Sequence, residues 1–587
     1  MLIAPKNTRL AIIVFCALSS ALYSQTSAAP AVEKPKDTSN PLFVFKTSSR
    51  LVVVDVVATN SKGEPVTDLK AEDFMVTEEG APQAIRSFSF QQPSGDRNEL
   101  QPVAEQLPPG VITNTPRYKK GNIWNVLVLD ALNSPMLDQS DTRQQLLKVL
   151  EKLPDQPVAI YVLGSDLRLI QNFSSNRAVL RQAIGGAQDQ ASMLLDNPKG
   201  GHEAERYEGV WFGSLPPQAQ VSIRHWEGES TASRTRNRLQ LTLDALNAIA
   251  SNLKSLPGRK NLIWVSEGFP FSIEPGTVVR AHEPVSGQNY TVAVSQTANA
   301  LFDSQIAIYP IDSRGIVLNQ VYDPASRGYD ALGQGESQIG LHSTVSEQLS
   351  NLNVTHTSMV EVAERTGGRA FYNRNEIGNA IIESMNDGST YYTLAYYPAS
   401  HNWNGKFRRI SVKVKRPGVK LRHRSGYFAI EPGAFTHQTP AEQTRQLNQA
   451  LDLNAPVSTQ LLFQARVLPP SAQSQNQVVV NYLIPAAGLS FERGADQLQH
   501  ASVNCAVGVY SMKGVSIKRD GATMTAALKA DVYDKIVQQG FPCQQKLSLP
   551  PGGYMLRLAV RDNVTGRIGT VDTMVSVPAE QAQKTPE

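Results

Sequence analysis

The chain has 587 residues, of which 41% are hydrophobic and 18% charged, with a formal net charge of +4. That length calls for several domains with separate cores, and the apolar content excludes a chain disordered throughout. So small a net charge excludes a whole-molecule field for nucleic acid, and any charge signal must be local.

The first residues carry Lys6 and Arg9, then an apolar run over 10–22, then small residues through Ser27, Ala28 and Ala29. This is the pattern of a secretory signal peptide, assigned to 1–28, and it implies export to the periplasm or beyond. Cys16 follows Val14 and Phe15, a poor context for lipid attachment. No later stretch reaches 18 apolar residues, so the mature chain is not expected to be an integral membrane protein.

A polar, proline-punctuated leader over 30–41 precedes a β element at 43–90, whose strands fall at 51–58 and 85–90 around Leu69, Phe74 and Val76. It is too small to close a core alone. Residues 91–120, rich in Gln, Pro and Asn, read as a linker or crossing loop.

From 121 the period changes. An apolar run at 123–134, too short for a helix and ending on Asp130, reads as a buried parallel strand that delivers a carboxylate to its carboxyl end. A helix follows at 140–153 on Leu146, Leu147 and Leu150, then strands at 158–163 and 167–173 and a helix at 177–184. Such alternation implies a parallel sheet between helices. Residues 185–235, with Gly-Gly, Pro-Pro and isolated aromatics, read as a long loop, and a helix resumes near Thr235 with Leu239, Leu243, Leu246, Ile249 and Leu253 at helical spacing. Strands at 261–266 and 306–311 end on Glu267 and Asp312. A second loose loop spans 315–346, and helices follow at 359–366 and 377–385. Strands return at 391–397, 407–415 and 427–430. A Pro- and Gln-rich joint at 431–455 leads to a last set of short strands at 461–467, 478–484, 503–510 and 554–561, read as a C-terminal β-sandwich over 455–580. Its Cys505 and Cys543 either form one disulfide in an oxidising compartment or stay as two buried thiols.

The order strand-Asp, long loop, Thr-bearing helix start, strand-acid-Gly over 121–388 resembles a von Willebrand factor A domain. More narrowly, Val-Thr-Asp-Leu-Lys-Ala-Glu-Asp-Phe at 66–74, Pro-Gly-Arg-Lys-Asn-Leu-Ile-Trp-Val-Ser-Glu-Gly-Phe-Pro at 257–270, Ile-Tyr-Pro-Ile-Asp at 308–312 and Arg-Ser-Gly-Tyr-Phe at 424–428 resemble the exported von Willebrand factor A-related proteins of Acidobacteria. The resemblance implies an α/β plus all-β molecule: a Rossmann-like von Willebrand factor A domain, with a parallel-rich sheet between helices, flanked by β-sandwich elements. The 389–430 strands are expected to join 43–90 in one discontinuous sandwich.

The resemblance also implies a metal-dependent adhesion site, in which hard oxygen ligands hold Mg²⁺ and leave a position for a partner. Matched to its pattern, the ligands would be Asp130, Ser134, a hydroxyl among Thr231, Ser233 and Thr235, and Glu267. Leu132 stands where a second hydroxyl belongs, so the site is degenerate; Asn133 could offer an amide oxygen in its place. Asp312 could join the acidic rim, although a strand-end Asp commonly starts a turn.

Lysines and arginines without a single acid fill 402–424, and the strand at 407–415 sets Arg409, Lys413 and Lys415 on one face. This reads as a solvated face guarding a sheet edge, or else as a dock for an anionic envelope polymer or acidic partner. His202-Glu203-Ala204-Glu205-Arg206 lacks the second His of a zinc protease helix, there is no nucleophile elbow or P-loop, and Gly333-Gln334-Gly335 lacks a third glycine. The expectation is therefore an exported, non-catalytic protein- or polymer-binding protein that does not bind nucleic acid. Its contact surface would be the Asp130 face and the 185–235 loop. A metal-dependent hydrolase with loop-borne residues and a structural envelope scaffold are the alternatives.

Overall fold

A computed structural model describes residues 51–92, 107–115, 123–195, 215–268, 290–315, 338–400, 402–430, 439–471 and 477–578. The signal at 1–28, the motifs at 202–206 and 333–335 and residues 269 and 270 lie outside the described residues. The described chain is a mixed α/β molecule built on several sheets.

The central sheet has five strands in the order Ile306–Asp312, Lys260–Ser266, Trp124–Asp130, Val158–Leu163, Leu167–Ser174. The first four run parallel, and the last returns antiparallel to its neighbour. Three residues separate Leu163 from Leu167, too few for a crossover, so the chain can only form a hairpin there and the sheet is mixed.

Because side chains alternate across a strand, Trp124–Asp130 feeds two cores. Leu127 packs with Leu146, Leu150, Leu180 and Ile381, under the helices Met136–Val149, Arg177–Gly186 and Ile377–Asp387. Val126 and Val128 pack with Leu243, Leu246 and Ile249 of the helix Pro217–Leu253.

That second core does not stop at the helices. Val52, Val54 and Val56 of Val52–Thr59, and Tyr392, Leu394 and Tyr396 of Tyr391–Tyr396, belong to the same cluster. These strands form a sheet ordered Lys420–His423, Val52–Thr59, Tyr391–Tyr396, Ser87–Gln91; the sheet Gly426–Phe428, Phe407–Val414, Phe74–Glu78, Ala81–Gln83 also contributes to this core. Phe407–Val414 is flanked on one side over 407–409 and on the other over 410–414, so it is not the edge strand expected from its charges. Arg409, Lys413 and Lys415 are exposed.

The C-terminal module has its own core, between the sheet Phe541–Leu547, Val478–Ile484, Gln464–Leu468, Val111–Thr113 and the sheet Glu492–Arg493, Gln499–Ser511, Gly552–Asp562, Ile568–Val577. Ser516–Leu528 pairs along Gln499–Ser511. Cys505 and Cys543, 38 residues apart in sequence, are bonded as a disulfide between the two sheets.

Several regions read as irregular are regular. Val111–Thr113, inside the presumed linker, is an edge strand, and Asn114 fixes it by donating to Ser458 O (3.0 Å) and Leu461 O (2.9 Å) and accepting from Phe463 N–H (2.9 Å). Pro217–Leu253 begins 18 residues before Thr235, Gln338–Thr366 occupies part of the second presumed loop, and Pro440–Ala450 is a helix in the joint. Pro217–Leu253 and Pro440–Ala450 open among polar residues without an apolar stripe, whereas Gln338–Thr366 does carry one, Leu341, Val345, Leu349 and Leu352, that the reading passed over.

Cross-linking across 38 residues removes loop-closure freedom from the unfolded chain worth about 3–4 kcal/mol. The paired substitution Cys505→Ser, Cys543→Ser is expected to lower unfolding stability by that order in urea titrations. Equal midpoints for wild type and variant would contradict it.

Candidate functional site

Three adjacent parallel strands end together, on Asp130, on Ser266 followed by Glu267, and on Asp312. This is the end of an open α/β sheet where ligands are held.

Asp130 is 3% exposed and both carboxylate oxygens are engaged. Oδ1 accepts from the backbone N–H groups of Leu132 (3.1 Å) and Asn133 (2.9 Å). Oδ2 accepts from Asn133 Nδ2 (2.9 Å), Trp264 Nε1 (2.8 Å) and Ser266 Oγ (2.8 Å). Burial pushes the Asp130 carboxyl above its ordinary range, against the donors of Asn133, Trp264 and Ser266 that pull it back. Asn133 Nδ2 also reaches Thr242 Oγ1 at 3.3 Å, which ties the helix Pro217–Leu253 to the cage.

Ser134 Oγ accepts from Glu267 N–H at 3.2 Å. Burial pushes the Glu267 carboxyl up to about 9; its hydrogen bond and charge contact with Asp138 add to the rise, and Arg314 opposes it. Asp312, 2% exposed, accepts from Arg314 N–H (3.0 Å), Nε (2.9 Å) and Nη2 (2.8 Å), and its Oδ2 lies 2.9 Å from His356 Nε2. It both starts a turn and belongs to the rim. Tyr372 stacks on the His356 ring, with centroids 4.4 Å apart.

The structure therefore brings Asp130, Ser134 and Glu267 together. Thr235 lies inside a helix, as do Thr231 and Ser233, and the hydroxyl that reaches the cage is Thr242, about two turns further on. Leu132 contributes its backbone N–H in place of a side-chain oxygen. Thr242 shares the inward face of Leu239 and Leu246, so helical spacing alone could have found it. Asp138 sits in the first turn of the helix after Ser134, and Arg314 two residues past Asp312, without a motif to mark either. His356 precedes the apolar spacing at 359–366 from which that helix was read.

As placed here, the Asp130 carboxylate has no lone pair free for Mg²⁺, while the amide oxygen of Asn133 is buried without a hydrogen-bond partner. Five donors point their positive ends at Asp130, and an indole N–H displaced by a cation could not turn to offer an acceptor. Among the described residues no group of three or more His, Cys, Asp or Glu is disposed to hold a metal ion. Among them, too, no helix is long and apolar enough to cross a membrane.

No family model matches the chain, and neither does any curated protein. Among solved structures, an aerotolerance-related membrane protein from Bacteroides fragilis is 12% identical, covering 45% of this chain and 99% of its own, at a TM-score of 0.22. A von Willebrand factor type A protein from Catenulispora acidiphila is 11% identical over 63% and 82%, at 0.21. The ArnB paralog VWA2 from Sulfolobus acidocaldarius is 9% identical over 84% and 75%, at 0.20. Likeness at this level adds nothing to what the strand order itself shows.

Asp130→Ala strands buried donors of Trp264, Ser266 and Asn133, and is expected to cost about 3 kcal/mol or more of stability in denaturant unfolding. Millimolar MgCl₂ or EDTA should leave the wild-type melting temperature unchanged; a saturable rise with Mg²⁺ would contradict the cage as described. A second expectation concerns pH. Burial lowers Lys260, 1% exposed at the other end of the same strand, to about 7, so the unfolded chain binds more protons between pH 7 and 10.5 and stability rises with pH there. Raised Glu267 has the opposite sign between 4.5 and 9. The two offset between pH 7 and 9: Glu267→Gln should leave stability rising across that window and Lys260→Met should leave it falling. Profiles parallel to wild type would exclude both assignments.

Proposed function

We propose that this chain is an exported, non-catalytic protein- or polymer-binding protein of von Willebrand factor A-like architecture, working through the carboxyl-end face of its mixed sheet. Export rests on the N-terminal sequence pattern alone. The observation that carries the reading is the convergence of Asp130, Glu267 and Asp312 at the ends of three neighbouring strands, each already held by protein partners. A face built this way is rigid before a partner arrives, and rigidity lowers the cost of binding. Attachment would be independent of divalent ions. The partner is a protein or an anionic envelope polymer, and the exposed Arg409, Lys413 and Lys415 suit the latter.

The His356–Asp312 pair is the one observation that favours a hydrolase, since a carboxylate orients a histidine in such chemistry. Asp312 is already committed to Arg314, however, and the interaction reading stands ahead of it.

Cross-linking the full chain to envelope fractions, with and without EDTA, tests the reading. Capture of a defined partner in both conditions is expected. Capture abolished by EDTA would restore a metal-dependent site, and turnover of an ester or peptide panel lost in His356→Ala would favour the enzyme.

A further inference from the structure

The outer face of the C-terminal module gathers three thioethers. In Gly552–Asp562 the side chains of Tyr554, Leu556, Leu558 and Val560 enter the core, so alternation turns Gly553, Met555 and Arg557 outward. In Ile568–Val577 it is Val571, Val575 and Val577 that enter, and Asp572, Met574 and Ser576 that face out. Met555 and Met574 are paired residues of this ladder, which sets their Cβ atoms about 5 Å apart. Met512 reaches the same face from the turn after Gln499–Ser511, which closes through Ser511 N–H to Val515 O (2.9 Å) and Gly514 N–H to Ser511 O (2.9 Å). Its side chain lies across Gly553: a Cβ added to that glycine would meet Met512 Cγ at 3.4 Å and Sδ at 3.7 Å. Gly553 and Met555 are two residues apart on one face, about 7 Å. The bare glycine thus lets Met512 lie over the strand that carries Met555.

Nothing covers these side chains among the described residues: Met512 is 56% and Met574 69% exposed, and Met555 is half-buried. The surroundings select what they could hold. The three form an island bounded by the exposed Lys513, Asp572 and Ser576, far smaller than the roughly 800 Å² per partner of a stable protein interface. The charge of Asp572 is already met by Arg557, whose Nε lies 2.7 Å from its Oδ1. What the island offers is sulfur. A thioether is a neutral, soft ligand with no proton to lose; it suits Cu(I), whereas Mg²⁺ and Ca²⁺ take oxygen. Cys505 and Cys543 are bonded to each other, so neither supplies a competing thiolate.

We propose that Met512, Met555 and Met574 form a binding site for Cu(I) on the outer face of the C-terminal sandwich. Each methionine has three rotatable bonds beyond its backbone, and exposure leaves those of Met512 and Met574 free to turn their sulfurs onto one ion beside Met555. The site is separate from the carboxyl-end face of the central sheet and does not depend on the interaction reading.

The test uses the full chain, labelled at the methionine methyl groups, with Ag(I) as a probe that matches Cu(I) in charge and softness without its redox chemistry. One equivalent of Ag(I) should shift three methyl resonances, those that vanish in Met512→Leu, Met555→Leu and Met574→Leu, and the same amount of Zn²⁺ should leave them in place. Competition against a chromogenic Cu(I) chelator should show the triple leucine variant binding Cu(I) at least tenfold more weakly than wild type. Leucine for methionine nearly conserves volume, so the metal-free variant should melt with wild type. No Cu(I) binding by wild type, equal affinity in the triple variant, or silver shifts confined to other methionines would each overturn the proposal.

Discussion

The carboxylate of Asp130 is the constraint on which this face of the molecule depends. A buried negative charge is tolerated only when its lone pairs are filled, and here backbone, amide, indole and hydroxyl donors fill them. Those donors come from the turn after Trp124–Asp130 and from the neighbouring strand Lys260–Ser266, and Asn133 passes the contact on to the helix Pro217–Leu253. One side chain thereby fixes the relative placement of three elements that apolar packing alone would let slide. The indole of Trp264 has a further effect: it donates and cannot accept, so the polarity of the cage is set in one direction.

The modules around this face are less separate than their order in the chain suggests. Val54 and Leu394 of the first sandwich lie in the same core as Val126, Trp264 and Leu246 of the α/β domain. Both domains would have to open together to expose it. At the base of the sheet, the buried Arg259 donates from Nη2 to Tyr309 OH (3.1 Å) and Gly367 O (2.6 Å), while its Nε has no hydrogen-bond partner. The C-terminal sandwich keeps a core of its own, and its two sheets are linked by Cys505 and Cys543.

Much of the α/β core was legible in the sequence. The apolar runs ending on Asp130, Ser266 and Asp312 are three of the four parallel strands of the central sheet, since burial on both faces leaves an uninterrupted apolar run too short for a helix. What escaped was written in hydrogen bonds rather than hydropathy. Val111–Thr113 is three residues long and is held by Asn114, a residue that ordinarily marks a turn. The N-terminal half of Pro217–Leu253 exposes Val221 and Trp226, and its sequence carries no apolar period to announce it. At the site, Asp130 was found because a strand end is conspicuous, and Ser134 and Glu267 because the resemblance implied them. Asp138, Thr242 and His356 were not, because only the packing of helices onto the sheet brings them near.

The helix Pro217–Leu253 also ends in an unusual place. Its last carbonyls are not left to water: Thr459, from the C-terminal module, donates its N–H to Ser251 O (3.1 Å) and its hydroxyl to Asn252 O (2.7 Å), while Asn252 donates to Val457 O (2.5 Å). Thr242 lies nine to ten residues back along the same helix, about 14 Å. Each residue of an α-helix turns the next by about 100°, so the grip at one end sets the azimuth of everything upstream. The C-terminal sandwich and the Asp130 cage therefore hold two points of one helix, with its buried face of Leu243, Leu246 and Ile249 packed on the sheet between them.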